Sequence, residues 1–217
     1  MANRYFVGTT TGTWSTTGNW ATVSNGTGGA TVPTVADDTF FDSFSPTCSI
    51  TAAATCKSMN HTGYTRQFLW SNNLTIAGGF TLSSAATYTQ SGSRTTIISA
   101  SGSLRFNGKT LPTIFSCTTI NTVLTLTDDW VLANNVIISG ELATPITLKS
   151  STASVQRKFT IPNVSYITQD FDFVYATDID TGDGQTAWTY KGTYSNCINW
   201  LVMPVQPGTV VGTWTTN

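Results

Sequence analysis

The chain has 217 residues, of which 10% are charged and 40% hydrophobic, with ten basic and eleven acidic residues giving a net charge of −1. That length accommodates one domain with a sizeable core, or a solenoid with small end modules, and crowds out two independent domains. No basic cluster could neutralise several phosphates at once, so no nucleic-acid partner is expected.

Thr makes up roughly a fifth of the chain and Glu occurs once, as Glu141. Thr is stiff at χ1 and suits pleated strands, whereas long helical surfaces draw on Glu and Lys pairs. The composition therefore predicts an all-β protein. The opening residues, MANRYFVGTT, lack a basic region followed by an apolar run, and no stretch of 18 apolar residues follows. Synthesis in a cytoplasm and no membrane partner are expected. Low charge with 12% aromatic residues suits a rigid particle component whose apolar surface is partly hidden in an oligomer.

Residues 1–35 read as an N-terminal arm or cap, with the aromatic anchors Tyr5, Trp14 and Trp20 set among Gly, Thr and Asn, and with the flexible stretch Ser24-Asn-Gly-Thr-Gly-Gly29. From residue 36 to 203 the pattern changes to short β-branched runs punctuated by turn residues. Strands are predicted at 39–41, 48–51, 67–70, 74–76, 80–82, 95–98, 104–106, 123–126, 130–132, 136–138, 146–148, 159–161 and 164–167. Turn-and-strand phrases recur about every two dozen residues, as in Asn73-Leu-Thr-Ile-Ala-Gly78, Ser99-Ala-Ser-Gly-Ser-Leu104, Phe106-Asn-Gly-Lys-Thr-Leu111 and Val136-Ile-Ile-Ser-Gly-Glu-Leu142. This predicts a short, β-helix-like solenoid. Its coils would stack through parallel ladders, with Leu74, Ile76, Leu82, Ile97, Leu104, Leu124, Leu126, Ile138 and Leu148 filling the lumen and Thr and Ser facing out. An antiparallel β-sandwich or jelly roll is the alternative that the same short strands permit. Past residue 170 the aromatics Phe171, Phe173, Tyr175, Trp188, Tyr190, Tyr194 and Trp200 suggest a closing coil. Residues 204–217, with Pro204, Pro207 and Trp214, read as an extended C-terminal tail whose Trp docks on a neighbouring subunit.

Chemistry is sparse. Cys48, Cys56, Cys117 and Cys197 show no metal-ligand spacing and are expected as buried reduced thiols. The single His61, in Met59-Asn-His-Thr-Gly63, reads as a turn histidine with no nucleophile elbow beside it. Glycoside cleavage needs two carboxylates at a controlled separation. Among Asp37, Asp38, Asp42, Asp128, Asp129 and Glu141, the adjacent pairs fall on opposite strand faces or into turns, so no catalytic dyad is expected. The acidic turn Asp178-Ile-Asp-Thr-Gly-Asp-Gly184 gathers Asp178, Asp180 and Asp183 but departs from a calcium loop. Gly182 stands at an Asp/Asn position, Asp183 at the glycine position and Thr189 at the bidentate glutamate position. It reads as a solvated turn, with no metal and no cofactor expected, and the chain reads as a non-enzyme.

Several phrases together carry a resemblance: Met1-Ala-Asn-Arg-Tyr-Phe-Val-Gly8 with Trp14 and Gly18-Asn-Trp20, Gly28-Gly-Ala-Thr-Val-Pro33, Ala36-Asp-Asp-Thr-Phe-Phe-Asp42, Thr55-Cys-Lys-Ser58, Thr62-Gly-Tyr64, Thr144-Pro-Ile-Thr-Leu-Lys-Ser-Ser151 and Tyr194-Ser-Asn-Cys-Ile-Asn-Trp200. In these the sequence resembles β-solenoid virion structural proteins of tailed bacteriophages. The resemblance implies a virion component, either a capsid decoration or cement protein or a tail-associated one. The first expectation is a homo-oligomer, a trimer, bound to the major capsid protein or other virion proteins and reinforcing the shell. The second is a tail or fibre module that binds host-surface glycans through Tyr175, Trp188 and Tyr190.

Overall fold

The structure is a computed structural model that describes residues 2–164 and 167–203; the expected tail, 204–217, lies outside the described residues. The chain winds as a three-faced parallel β-solenoid. The first face stacks Asn3–Phe6, Asp38–Phe40, Ser58–Asn60, Phe80–Thr81, Gly102–Arg105, Val123–Leu126, Ile146–Ser150, Val174–Thr177 and Thr193–Ser195. The third face stacks Ala54–Cys56, Leu74–Ile76, Thr95–Ile98, Ile114–Cys117, Val136–Ser139, Gln169–Asp172, Ala187–Tyr190 and Trp200–Met203. Between them the second face is split into two sheets. One runs from Thr11–Thr13 through Thr47–Ile50 and Gln67–Trp70 to Thr87–Gln90, and the other from Thr110–Leu111 through Trp130–Leu132 and Arg157–Thr160 to Ile179–Asp180.

Parallel pairing decides against the sandwich, because a sandwich or jelly roll joins consecutive strands in antiparallel fashion. Among the described strands the one antiparallel pair is Asn3–Phe6 with Trp20–Ala21. The ladder from Met59 to Phe80, Leu104 and Leu126 sets about two dozen residues per coil, the period the turn phrases predict. Described residues contain one 3-10 turn, Thr17–Asn19, and no α-helix. Among the described residues no helix is long and apolar enough to cross a membrane.

Alternation along each short strand puts one side chain set in the lumen, where Leu74, Ile76, Leu82, Leu104, Leu124, Leu126, Ile138 and Leu148 are fully buried as expected. Ile97 is the exception. In Thr95–Ile98 the ladder aligns Ile98 with Ile76 and Thr96 with Leu74, so Thr96 and Ile98 face inward and Ile97 faces out. Thr96 tolerates the dry lumen because its hydroxyl pairs with that of Thr113 at 2.7 Å. The predicted strand at 164–167 is corrected at its two described ends. Val164 and Ile167 lie outside strands, residues 165 and 166 lie outside the described residues, and the Ile167 amide donates to the Val164 carbonyl.

Aromatic rings form a column inside the aliphatic walls. Phe80, Phe106, Trp130, Phe159, Phe171 and Trp200 follow one another at centroid separations of 5.8, 4.5, 5.6, 6.3 and 5.1 Å. Polar corner residues tie coil to coil: Asn73 accepts from the Thr95 amide at 3.0 Å, Ser101 from the Val123 amide at 2.8 Å and Asn135 from the Thr168 amide at 2.9 Å. At one corner glycine is obligatory, since a Cβ on Gly102 would stand 2.4 Å from the Gly78 carbonyl carbon in the coil below.

Candidate interaction surface

The titratable residues considered in the sequence are scattered. His61 directly follows the strand Ser58–Asn60 and leads into a turn, as expected, but it is wholly buried, ringed by Phe41, Tyr64, Phe68 and Tyr88. Its Nδ1 shares a 3.1 Å hydrogen bond with the Tyr88 hydroxyl, and its Nε2 has no partner among the described residues. Burial pushes its pKa down to about 3, so the ring is neutral at ordinary pH. The corner that carries it points inward because the strand Ser58–Asn60 ends one residue before it, and its amide donates to Thr81 of the next coil.

The carboxylates brace the backbone. Asp37 accepts from the Thr34 amide and hydroxyl at 3.0 and 2.8 Å; burial raises its pKa, but these bonds outweigh that and hold it below the usual value. Asp38 accepts from Ser58 at 2.5 Å and pairs with Lys57 at 3.2 Å, and Asp42 accepts from Ser24 at 2.6 Å and from the Phe44 amide at 2.9 Å. Asp128 takes the Phe106 and Asn107 amides, Asp129 the Lys158 amide at 3.0 Å, and Glu141 sits exposed in a turn bridged to Thr144.

The acidic turn is also dispersed. Asp178 is buried rather than solvated, accepting from the Ser154 amide at 3.0 Å and from the Asn196 side chain. Asp180 accepts from the Gly182 amide at 2.7 Å, while Asp183 pairs with Lys158. Among the described residues no three His, Cys, Asp or Glu side chains gather closely enough to hold a metal ion. Cys48, Cys56 and Cys117 are buried free thiols, and Cys197 is half-buried and free. Burial raises all four thiol pKa values, that of Cys56 to about 12, which suppresses thiolate chemistry.

The N-terminal anchors are spent inside the molecule. Trp14 and Trp20 are 2% and 0% exposed and meet edge to face at 4.9 Å, with the Trp20 indole donating to the Trp14 carbonyl at 2.7 Å. They cannot contact a neighbour without opening their own end of the solenoid. Tyr5 lies outside the lumen, stacked on Phe40 at 4.9 Å.

Exposed apolar side chains concentrate in the last two coils. On the outer side of the third face the ladder places Trp188 beside Leu201 and Tyr190 beside Met203, with Trp188 44% and Leu201 40% exposed. Burial of a large apolar side chain is worth roughly 1.5–3 kcal/mol, so this strip favours being covered. Tyr175 is on the adjoining first face, so the three aromatics of the glycan expectation are divided between two faces. Leu201 and Met203 were not singled out in the sequence, although the run Trp200-Leu-Val-Met203, apolar at every position in a two-residue period, signals a strand that is apolar on both sides.

The third-face strip thus joins exposed Trp188, Leu201 and Met203 to half-buried Tyr190, and Lys191 flanks it with its ammonium 4.5 Å from the Tyr190 ring centroid. Comparison with protein-family models, curated proteins and solved structures finds no match.

Proposed function

We propose that this chain is a non-enzymatic structural protein of a tailed-phage virion, a capsid decoration or cement protein that reinforces the shell by oligomeric contacts. The observation that carries the reading is the strip Trp188, Tyr190, Leu201 and Met203 on an otherwise hydroxyl-rich solenoid, at the edge of a rigid ladder. The phage assignment draws on the resemblance of the opening and closing blocks to virion β-solenoids. In this reading the strip docks against another copy, in a trimer, or against the major capsid protein.

The test is to count copies per particle and to replace Trp188 and Leu201 by Ser. Hundreds of copies, and a variant that keeps its melting temperature but loses particle occupancy, support the reading. A few copies per particle, or full occupancy by the variant, refute it.

A second reading has one specific observation behind it. Trp188 is a flat exposed aromatic that follows Asp170 along the outer ladder, with Asp172 next to Tyr190, an arrangement suited to stacking and hydrogen-bonding a sugar ring. A tail or fibre module binding host-surface glycans would lose glycan affinity on Trp188→Ala and retain its place in the particle.

A further inference from the structure

The two ends of the solenoid differ in how the lumen stops. At the N-terminal end Trp14 and Trp20 cover the first layer. At the C-terminal end the last strands among the described residues are Thr193–Ser195 on the first face and Trp200–Met203 on the third. There Tyr194 is in register with buried Ala176, and Val202 with buried Thr189, so both occupy lumen-side positions. They are nevertheless 47% and 38% exposed, because no described residue stacks on them, and Ile198, bridged to Asp180, is 45% exposed. The aromatic column ends here as well, at Trp200.

The chain that continues from Met203 carries a counterpart of the N-terminal cap. The cap tryptophan stands in Gly12-Thr13-Trp14-Ser15-Thr16, and residues 204–217 contain Gly212-Thr213-Trp214-Thr215-Thr216. In the cap each position has a physical task. Gly12 faces inward where a Cβ would come within 2.7–2.9 Å of Asn19 and Phe6. Thr13 faces out and bonds Thr16 at 2.8 Å, and Trp14 closes the lumen.

We propose that the open C-terminal end is a docking surface for the chain's own residues 209–214, with Trp214 covering Tyr194, Trp200 and Val202 as Trp14 covers the opposite end. Pro204, Pro207 and Gly208 supply a corner after Met203, and Thr209, Val210 and Val211 supply strand-forming residues for the free edge of the first face. The reach is ample: seven residues span about 23 Å when extended, against the ~4.8 Å between neighbouring strands. Attachment at Met203 also gives the segment a high effective concentration at this surface, an advantage that a second copy lacks. This closure differs from the expected docking of the tail on a neighbour and stands independently of the virion reading, which concerns the outer strip.

Hydrogen exchange on the full chain tests it. In the unaltered protein, the amides of residues 209–214 should exchange at least tenfold more slowly than in a free peptide of the same sequence. Trp214→Ala should speed exchange of the Thr193–Ser195 and Trp200–Met203 amides at least tenfold, equally at all protein concentrations, and Trp214→Phe should restore most of the protection. Unprotected 209–214 amides, or unchanged strands in Trp214→Ala, would overturn the proposal. So would protection that rises with protein concentration alongside a dimer or trimer mass, which would assign the surface to a second copy.

Discussion

The N-terminal and C-terminal ends of this solenoid solve the same problem with different means. A stack of parallel coils leaves an apolar lumen and unpaired strand edges at each end, and both must be covered. At the N-terminal end the cover is built from local sequence: Trp20–Ala21 turns back antiparallel to Asn3–Phe6, and Phe6, Trp14, Trp20 and Phe41 pack ring against ring. At the C-terminal end the last described strands keep lumen-side Tyr194 and Val202 in contact with solvent. The N-terminal cover is thus part of the described fold, whereas the cover of the C-terminal end is left to the docking of residues 209–214 proposed above.

The contrast is broken most directly by Trp20→Ala, which empties a fully buried site in the cap and should cost about 3–5 kcal/mol in urea denaturation. A loss below about 1 kcal/mol would mean that the cap is not structurally required.

Acid should act on the same half of the molecule. The unfolded chain takes up a proton at His61 near pH 6.5, whereas the folded chain does so only near 3. The unfolded state therefore binds more protons between those values, and the stabilisation present above pH 6.5 is lost as pH falls, at up to ~1.4 kcal/mol per unit. His61→Phe should flatten this slope between pH 6.5 and 5. Exchange measured at pH 5 should show protection lost first around Phe41, Phe68 and Tyr88, which pack on the imidazole, while the C-terminal coils are spared.

The middle coils supply a yardstick for both ends. Thr96→Val leaves the buried Thr113 hydroxyl without its partner and should cost roughly 1–3 kcal/mol, whereas the double change Thr96→Val with Thr113→Val should recover most of that. Additive losses would mean that the hydroxyl pair is not the relevant interaction.

The smallest effect is expected at the C-terminal end, where the described residues cover only about half of Tyr194, so that Tyr194→Ala should cost about 1 kcal/mol beyond any loss of the proposed Trp214 contact. A loss as large as that of Trp20→Ala would make the two ends energetically equivalent.

Much of this architecture is legible in single residues. The strand runs at 74–76, 123–126 and 136–138 appear where β-branched and aliphatic residues alternate, and turn phrases two dozen residues apart identify the coil. Ile97 shows where that legibility stops. Thr95-Thr-Ile-Ile98 offers two adjacent isoleucines, and the inward one is selected only by the register with Leu74 and Ile76 in the preceding coil. His61 and Asp178 follow the same logic, since local sequence reads both as polar turn residues and only the stacking of coils encloses them.

Composition and period alone thus determine an all-β chain wound into coils, because strand propensity and turn chemistry are local properties. Tertiary structure decides which tryptophans are spent in the interior and which remain outside. Trp14, Trp20 and Trp188 stand among similar Thr-rich neighbours in the sequence, yet the first two close the lumen while the third lies on an outer face. The reason is that burial depends on what the neighbouring coil places above each ring, and that contact joins residues distant in the chain.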